Sequence, residues 1–172
     1  MKKIILVTGG QRSGKSTFAE QLALTLADRP IYMATSRVWD DEYHERIKRH
    51  QLSRGSQWTT IEENKHLSQY DLVGKVVLID CLTLWATNFF FDLDNDIEKA
   101  LTELKQEFER LIAQQAKFIL VTNEIGLGGT SENNLQRKFI DLLGWLNQYV
   151  AAKADEVYFV VSGIAMKIKS TI

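Results

Sequence analysis

The chain of 172 residues is 45% hydrophobic and 25% charged, and its formal net charge is −1 at pH 7. Such a length and composition are typical of one globular domain with a buried core, so we expect residues 1–172 to form a single domain. The small net charge gives no indication of nucleic-acid binding or of attraction to a membrane surface. The only cysteine, Cys81, excludes an intrachain disulfide, and no apolar run is long enough to span a bilayer. We therefore expect a cytoplasmic protein without nucleic-acid partners or membrane insertion.

Short apolar segments alternate along the chain with longer segments of helical periodicity. The apolar segments are rich in Ile, Val and Phe, which predicts buried parallel strands. The predicted strands are Lys3–Thr8, Ile31–Ala34, Val76–Asp80, Phe118–Thr122 and Val157–Ser162. Apolar residues spaced three or four positions apart predict helices over Ser16–Ala27, Asp94–Gln115 and Leu135–Ala154. The alternation predicts an α/β domain with a mostly parallel sheet.

The first predicted strand leads into a glycine-rich segment, GGQRSGKS, which is followed by a predicted helix. The segment fits G-x-x-x-x-G-K-[ST], the P-loop pattern, in the strand–loop–helix context that the pattern requires. Its candidate phosphate-binding residues are Gly9, Gly10, Gln11, Arg12, Ser13, Gly14, Lys15 and Ser16. Backbone N–H groups and the helix N-terminus would surround the phosphates, Lys15 would contact the β- and γ-phosphates, and Ser16 would bind Mg²⁺. The alternative is a glycine-rich turn that binds no ligand.

Polar residues stand where several predicted strands end. Asp80 ends the strand VVLID and has the position of the acid that holds Mg²⁺ in P-loop enzymes, although many strands end in Asp as a turn residue. Thr122–Glu124 and Ser162–Gly163 follow two other strands, and the carboxyl ends of parallel strands meet at one ligand-binding edge. Glu124 would bind an acceptor substrate or act as a base there. It could equally cap a helix or face water.

Charged residues dominate the segment DDEYHERIKRHQLSR, Asp40 to Arg54. Two glutamate–arginine pairs four residues apart favour a helix, and the second half carries cations without acids, which suits a triphosphate. His50 lies three residues after Ile47, beside a thin apolar stripe. A neutral imidazole could attack the α-phosphate of a nucleotide, expel pyrophosphate and hold the nucleotide as a phosphoramidate. The alternative is a solvated surface helix with an incidental histidine.

Taken together, these segments resemble the bifunctional adenosylcobinamide kinase/adenosylcobinamide-phosphate guanylyltransferase family over nearly the whole chain. The resemblance rests on GGQRSGKS, YMATSRVWDDEYHERIKRHQLSR, WTTIEE, LIDCLTLWATN, VTNEIGLG and RKFIDLLGWLNQYVAAKADEVYFVVSGI. The second segment is the most specific, because few other P-loop proteins have RI-x-x-H-x-x-x-R there. The chain departs from the family in LGGTSENN, where a Val-Pro segment is usual, and in SGIA, where SGIP is usual. These departures affect the acceptor loop and the C-terminal packing.

The resemblance implies roles for individual residues. His50 matches the histidine that becomes guanylylated, so it would be catalytic together with Lys15, and the P-loop would bind the phosphates of GTP. Further nucleotide contacts match Ala34, Thr35, Ser36, Gln51, Leu52, Ser53, Arg54, Glu62 and Leu84. The implied fold is the RecA-like branch of P-loop NTPases, a three-layer α/β/α arrangement, and the implied assembly is a homotrimer.

The implied chemistry has two steps. A nucleoside triphosphate phosphorylates the aminopropanol hydroxyl of adenosylcobinamide. GTP then transfers GMP to His50, and the substrate phosphate takes it up to give adenosylcobinamide-GDP, with pyrophosphate released. The resemblance therefore implies a corrinoid substrate, GTP and ATP as nucleotides, and Mg²⁺ as cofactor. The N-K-x-D motif that reads guanine in GTPases is absent, so the expected use of GTP rests on the resemblance alone.

Two other function classes account for part of the sequence. A P-loop kinase for another small molecule would explain the P-loop and Asp80 but would leave His50 without a role. A regulatory NTPase would hydrolyse a nucleotide and switch conformation, without a covalent intermediate.

Aromatic residues are expected to pack inside the protein or at an interface. The three consecutive phenylalanines Phe89–Phe91 form either core or an interface patch, and the implied trimer favours the interface. Trp58 and Trp85 are expected to be packing residues, and His44 and His66 are expected at the surface.

Overall fold

The computed structural model describes residues 1–37 and 55–171. Within these residues the strands are β1 (Lys3–Gly9), β2 (Ile31–Ala34), β3 (Thr59–Glu62), β4 (Val76–Asp80), β5 (Lys117–Asn123), β6 (Glu156–Val161) and β7 (Ile164–Ser170). The α-helices are α1 (Lys15–Leu26), α2 (Leu82–Asp92), α3 (Ile97–Ile112) and α4 (Asn134–Lys153), and 3-10 turns span Leu67–Gln69 and Ile125–Gly128. The helix favoured by the charge pairs of residues 40–54 lies outside the described residues, and so does His44.

The seven strands form one sheet in the order β3-β2-β4-β5-β1-β6-β7. Every neighbouring pair from β3 to β6 is parallel, and only β7 runs antiparallel, against β6. The predicted α/β fold with a mostly parallel sheet is confirmed. Since β5 lies between β1 and β4, the strand that enters the glycine-rich loop and the strand that ends in Asp80 are not neighbours.

Alternate residues of the strands contribute to two apolar cores, one on each face of the sheet. On one face, Leu6, Ile79 and Leu120 pack with residues of α2, α3 and α4. On the opposite face, Val7 and Val121 pack against α1, whose buried Ala19 and Ala23 allow a close approach of the helix to the sheet. This three-layer arrangement of helices, sheet and helix is the one expected from the family resemblance.

The structure confirms the five predicted strands and adds two more, both at sheet edges. β3 has the sequence TTIE and is mostly exposed, so it lacks the apolar run by which a buried strand is detected. β7 pairs on one side only and is largely exposed; it continues the chain from β6 through a tight turn with positive φ at Ser162 and Gly163. Edge strands of this kind are harder to detect because one face or one edge meets water.

Helix ends explain most differences from the predicted bounds. The second predicted helix spans Asp94–Gln115, but α3 begins later because Asp94 and Asn95 have positive φ. Asp96 then caps the helix, and its side chain accepts a hydrogen bond from the Lys99 backbone N–H. Asn133 caps α4 in the same way, with Gln136 as donor.

The phenylalanine run belongs to α2, a helix that the prediction missed. Phe89 and Phe90 are buried in the core, whereas Phe91 is 47% exposed. The preference for an interface is therefore wrong for two of the three residues, since they pack inside the subunit. Trp58 and Trp85 are buried and His66 is exposed, as predicted. No helix in the described parts of the chain has the length and apolar character needed to cross a bilayer.

Candidate active site

The loop between β1 and α1 can be built only with glycine at two positions. A Cβ atom on Gly9 would lie 2.5 Å from the Val160 carbonyl oxygen and 2.7 Å from Ser13 Oγ. Gly14 has φ +93°, and a Cβ atom there would lie 3.1 Å from the Gly163 Cα atom. These two glycines let the loop pack tightly against the end of β6 and the turn that follows it.

Donor groups of this loop are left without acidic partners. Gly14 caps α1 with no side-chain hydrogen bond, and the first turn of the helix contains no acidic residue. Ser13 is buried, and its hydroxyl has no hydrogen-bond partner among the described residues. A helix N-terminus with free N–H groups and an unpaired buried hydroxyl favours an anion such as a phosphate group.

Lys15 stands at the start of α1 and is 8% exposed. Its Nζ atom donates a hydrogen bond of 3.0 Å to the Gly10 carbonyl oxygen, so the ammonium group is folded over the loop. Burial lowers the pKa of Lys15, and the charges of Cys81 and Asp80 oppose this shift. Burial also raises the pKa of the Cys81 thiol to about 11, so the thiol is neutral at pH 7.

Asp80 is held at the carboxyl end of β4 by its neighbours. The Tyr32 hydroxyl donates a hydrogen bond of 2.6 Å to Asp80 Oδ2, and the peptide bond between Asp80 and Cys81 is cis. Two strand spacings separate β4 from β1, which is about 10 Å between strand axes. Asp80 therefore lies on the far side of β5 from the loop, at the same carboxyl edge of the sheet.

Thr35 joins the end of β2 to the end of β4. Its hydroxyl accepts a hydrogen bond of 2.9 Å from the Cys81 backbone N–H and donates one of 2.8 Å to the Cys81 carbonyl oxygen. The Asn88 side chain donates to the Thr35 carbonyl oxygen. Of these expected nucleotide contacts, Ala34 and Thr35 are buried and Ser36 is half-buried, and the Thr35 side chain is already hydrogen-bonded.

The polar residues expected at one edge of the sheet do lie together. Gly163 donates a backbone hydrogen bond of 2.8 Å to the Ser13 carbonyl oxygen, and Glu124 donates one of 3.2 Å to the Gly9 carbonyl oxygen. The Thr8 hydroxyl donates to Glu124 Oε1 at 3.0 Å. Both strands that flank β1 thus support the glycine-rich loop, and Glu124 is directly beside it.

Residues missed in the sequence complete this edge. Asn147 of α4 is buried; its Nδ2 atom donates to the Asn123 carbonyl oxygen, and its Oδ1 atom accepts from Thr122. Thr83 accepts hydrogen bonds from both the backbone N–H and the side chain of Asn123. A signal for Asn147 existed, because it interrupts the apolar stripe of the predicted third helix with a polar side chain.

The remaining expected nucleotide contacts belong to other elements of the fold or lie outside the described residues. Glu62 ends β3, is exposed, and pairs in register with Ala34, so it belongs to the same carboxyl edge of the sheet. Leu84 is half-buried on α2 and packs against the core on the α1 side. The expected catalytic residue His50 and the expected contacts Gln51–Arg54 lie outside the described residues.

The family model described as cobinamide kinase / cobinamide phosphate guanyltransferase matches residues 5–168. The bifunctional adenosylcobalamin biosynthesis protein CobU of Escherichia coli is 42% identical, with 96% of this chain and 99% of that protein covered. Its namesake from Salmonella typhimurium is 45% identical with the same coverage, and CobP of Pseudomonas aeruginosa is 38% identical over 95% of this chain and 96% of its own length.

Solved structures share the architecture at much lower identity. The crystal structure of a KaiC-like protein from Pyrococcus horikoshii superposes with a TM-score of 0.50 at 15% identity. It covers 91% of this chain and 70% of that protein. At such identity the likeness concerns the fold alone.

Proposed function

The chain belongs to the cobinamide kinase / cobinamide phosphate guanyltransferase family, and we propose that it catalyses both reactions at the edge of the sheet formed by the glycine-rich loop. The first reaction transfers a phosphoryl group from ATP or GTP to the hydroxyl group of adenosylcobinamide. The second transfers GMP from GTP to adenosylcobinamide phosphate, through a guanylyl group on His50. The products are adenosylcobinamide-GDP and pyrophosphate.

The conformation of Gly9–Ser16 is the observation that carries this proposal. Its backbone N–H groups, the N-terminus of α1 and the unpaired Ser13 hydroxyl form a donor set that fits the phosphates of a nucleotide. Lys15 would exchange its hydrogen bond with the Gly10 carbonyl oxygen for the phosphate oxygens, which would neutralise charge as the leaving group departs. Gln11 and Arg12, which are exposed, would cover the phosphates.

Mg²⁺ fits the residues present. It binds through one or two protein oxygens together with phosphate oxygens and waters, so it does not need a cage of protein ligands. In the described parts of the chain, no cluster of three or more His, Cys, Asp or Glu side chains is arranged for a metal. The Ser16 hydroxyl and the Asp80 carboxylate would hold the ion, with Tyr32 fixing one carboxylate oxygen. When bound, the ion supplies positive charge to the phosphates.

The guanylyl step would use His50 as nucleophile. Its imidazole nitrogen would form a bond to the α-phosphorus of GTP while the bond to the pyrophosphate oxygen breaks. The phosphate oxygen of the acceptor would then attack the same phosphorus and release the histidine. Residues matching further contacts with the nucleotide are Ala34, Thr35, Ser36, Gln51, Leu52, Ser53, Arg54, Glu62 and Leu84.

The test uses GTP labelled at the α-phosphate, with γ-labelled GTP in parallel. Purified protein and Mg²⁺ are mixed with each nucleotide, denatured and assayed for retained label. We expect α-label that is acid-labile, alkali-stable and absent in His50→Ala, and no label from the γ-position. His66→Ala is the matched control. His66 is exposed and directly precedes the 3-10 turn Leu67–Gln69, so this variant should retain full labelling. If no α-label is retained although GTP binds, the protein is a plain P-loop kinase or NTPase.

We also propose a homotrimer that works in the cytoplasm. The trimer is inferred from the family resemblance, and light scattering after size-exclusion chromatography would give about three times the chain mass of 19.7 kDa. The cytoplasmic location is inferred from the substrates, because nucleoside triphosphates are supplied there. Fractionation of cells that express a tagged chain would test it.

A further inference from the structure

A cleft of about 220 Å³ opens beside Glu124, which forms part of its lining. One wall is the segment that follows β5, residues 123–126, and the other is the middle of α4, residues 140–148. The nucleotide-binding roles proposed above use neither wall. The cleft nevertheless adjoins the glycine-rich loop, because the Glu124 backbone N–H donates to the Gly9 carbonyl oxygen.

A glycine in the middle of α4 forms part of the cleft. Gly144 is eleven residues into a helix of 20 residues, where glycine costs about 1 kcal/mol of helix stability relative to alanine. A Cβ atom on Gly144 would meet no heavy atom within 4 Å. Close packing of the subunit therefore does not require glycine at this position, and its effect is to leave space in the cleft.

Glu124 lies between the cleft and the loop, and among the described residues only one of its carboxylate oxygens accepts hydrogen bonds. The hydrogen bonds donated by Thr8, at 3.0 Å, and by Asn147, at 3.4 Å, both end on Oε1. Oε2 accepts no hydrogen bond from any described residue. The side chain is thus held in position through one oxygen while the other remains available as an acceptor.

The outer part of the cleft combines an aromatic face with hydrogen-bonding groups. Trp145 is 47% exposed, which is unusual for a side chain of this size on a helix that otherwise packs on the core. Asp141 and Gln148, also exposed, line the cleft on the same helix. An exposed tryptophan beside polar side chains suits a large, partly apolar molecule that carries amide groups.

We propose that this cleft binds the hydroxyl-bearing arm of the acceptor and that Glu124 is the base for the kinase step. This inference rests on the proposed function. A volume of 220 Å³ holds about seven water-sized groups, enough for an aminopropanol arm and too little for a whole corrinoid. The ring system would remain outside, against Trp145.

The proton and bond changes of the step balance. Oε2 of Glu124 takes the proton of the acceptor hydroxyl as its oxygen forms a bond to the γ-phosphorus of the nucleotide. The bond between that phosphorus and the oxygen of the β-phosphate breaks, and the nucleoside diphosphate leaves with its electron pair. Glu124 then releases the proton to solvent. Attack of His50 on GTP does not use the acceptor hydroxyl, so the two half-reactions can be measured separately.

The first test compares Glu124→Gln with Glu103→Gln, an exposed glutamate on α3 that undergoes the same chemical change. Phosphorylation of cobinamide and retention of α-label from GTP are measured for each. Loss of a general base reduces the rate by about 100-fold to 10,000-fold. For Glu124→Gln we expect a fall of this size in kcat for phosphorylation and a far smaller loss, if any, of retained α-label. For Glu124→Asp we expect kcat for phosphorylation to recover in part. Equal losses of both activities, or an unchanged kcat for phosphorylation, would overturn the role of Glu124.

The second test fills the cleft. Alanine and leucine both have a higher helix propensity than glycine, so neither Gly144→Ala nor Gly144→Leu should destabilise α4. Only the leucine side chain extends far enough to occupy the cleft. We expect Gly144→Leu to raise KM for cobinamide at least tenfold, with little change in KM for GTP and with unfolding at or above the wild-type temperature. An unchanged KM for cobinamide in Gly144→Leu would refute the cleft as acceptor site. A wild-type protein that binds GTP and does not phosphorylate cobinamide would refute the proposed function itself, and this inference with it.

Discussion

Replacing Thr35 by valine keeps the shape of the side chain and removes the hydroxyl that joins the ends of β2 and β4. Two hydrogen bonds to Cys81 are lost, one from its backbone N–H and one to its carbonyl oxygen. The carbonyl oxygen still accepts from the Trp85 backbone N–H at 3.0 Å. The buried Cys81 N–H is left without a partner.

The expected cost follows from these two losses. An orphaned buried donor costs about 1–3 kcal/mol, and the second hydrogen bond contributes about 1 kcal/mol more. We therefore expect Thr35→Val to lower the free energy of unfolding by about 3 kcal/mol. For a domain of this size, 1 kcal/mol corresponds to a change of about 2–4 °C in Tm, so Tm should fall by about 6–12 °C.

Urea unfolding followed by tryptophan fluorescence would measure the change, because Trp58 and Trp85 are buried. Thr35→Ser retains the hydroxyl and loses only a methyl group, so it should cost about 1 kcal/mol. Thr102→Val makes the same substitution on an exposed face of α3 and should lie within about 0.5 kcal/mol of wild type. If Thr35→Val is as stable as Thr35→Ser, the hydrogen bonds to Cys81 do not hold these strand ends together.

Three further predictions concern other parts of the fold. Gly9→Ala places a Cβ atom 2.5 Å from a backbone carbonyl oxygen, so it should weaken GTP binding, measured by calorimetry, by about tenfold or more. Glu107→Gln should lower the free energy of unfolding by about 1–3 kcal/mol, because this buried carboxylate accepts hydrogen bonds from a backbone N–H and from Arg110; an unchanged urea midpoint would contradict this. The hydrogen bond from Lys3 lowers the pKa of Glu156 from 4.5 to about 2, so its contribution to stability is present above pH 4.5 and is lost as the pH falls toward 2. The difference in Tm between wild type and Glu156→Gln should therefore shrink over this range, and a constant difference would refute the assignment.

The glycine-rich loop was predictable because its chemistry is local. Strand, loop and helix follow one another within residues 3–26, and the two glycines are required by the loop backbone itself. The buried strands were predictable for a similar reason, since parallel strands covered on both faces are apolar throughout. Asp80 and Glu124 could be placed at one edge by topology, although their hydrogen-bond partners could not be identified.

The features that the sequence did not reveal depend on contacts between distant segments. Thr35 and Cys81 are separated by 46 positions, and nothing in either segment indicates the hydrogen bonds between them. α2 was missed because the segment is largely apolar on all sides: Leu82, Trp85, Phe89 and Phe90 are buried, but Leu84 and Phe91 lie among the less buried positions and weaken the helical period. The space beside Gly144 depends on how α4 meets the segment after β5, which only the assembled fold shows.

The position of β1 in the sheet has a consequence for the order in which the protein forms during synthesis. β1 is made before the other described strands, yet its two partners are β5, where Lys3 pairs with Lys117, and β6, where Ile5 pairs with Glu156. The Ser13 carbonyl oxygen likewise accepts its hydrogen bond from the backbone N–H of Gly163, which is made much later. The nucleotide loop is therefore made before the segments that support it and acquires its neighbours late. A nascent chain would have no competent phosphate site until β6 and Gly163 had emerged, and meanwhile the apolar strand β1 would need protection from aggregation.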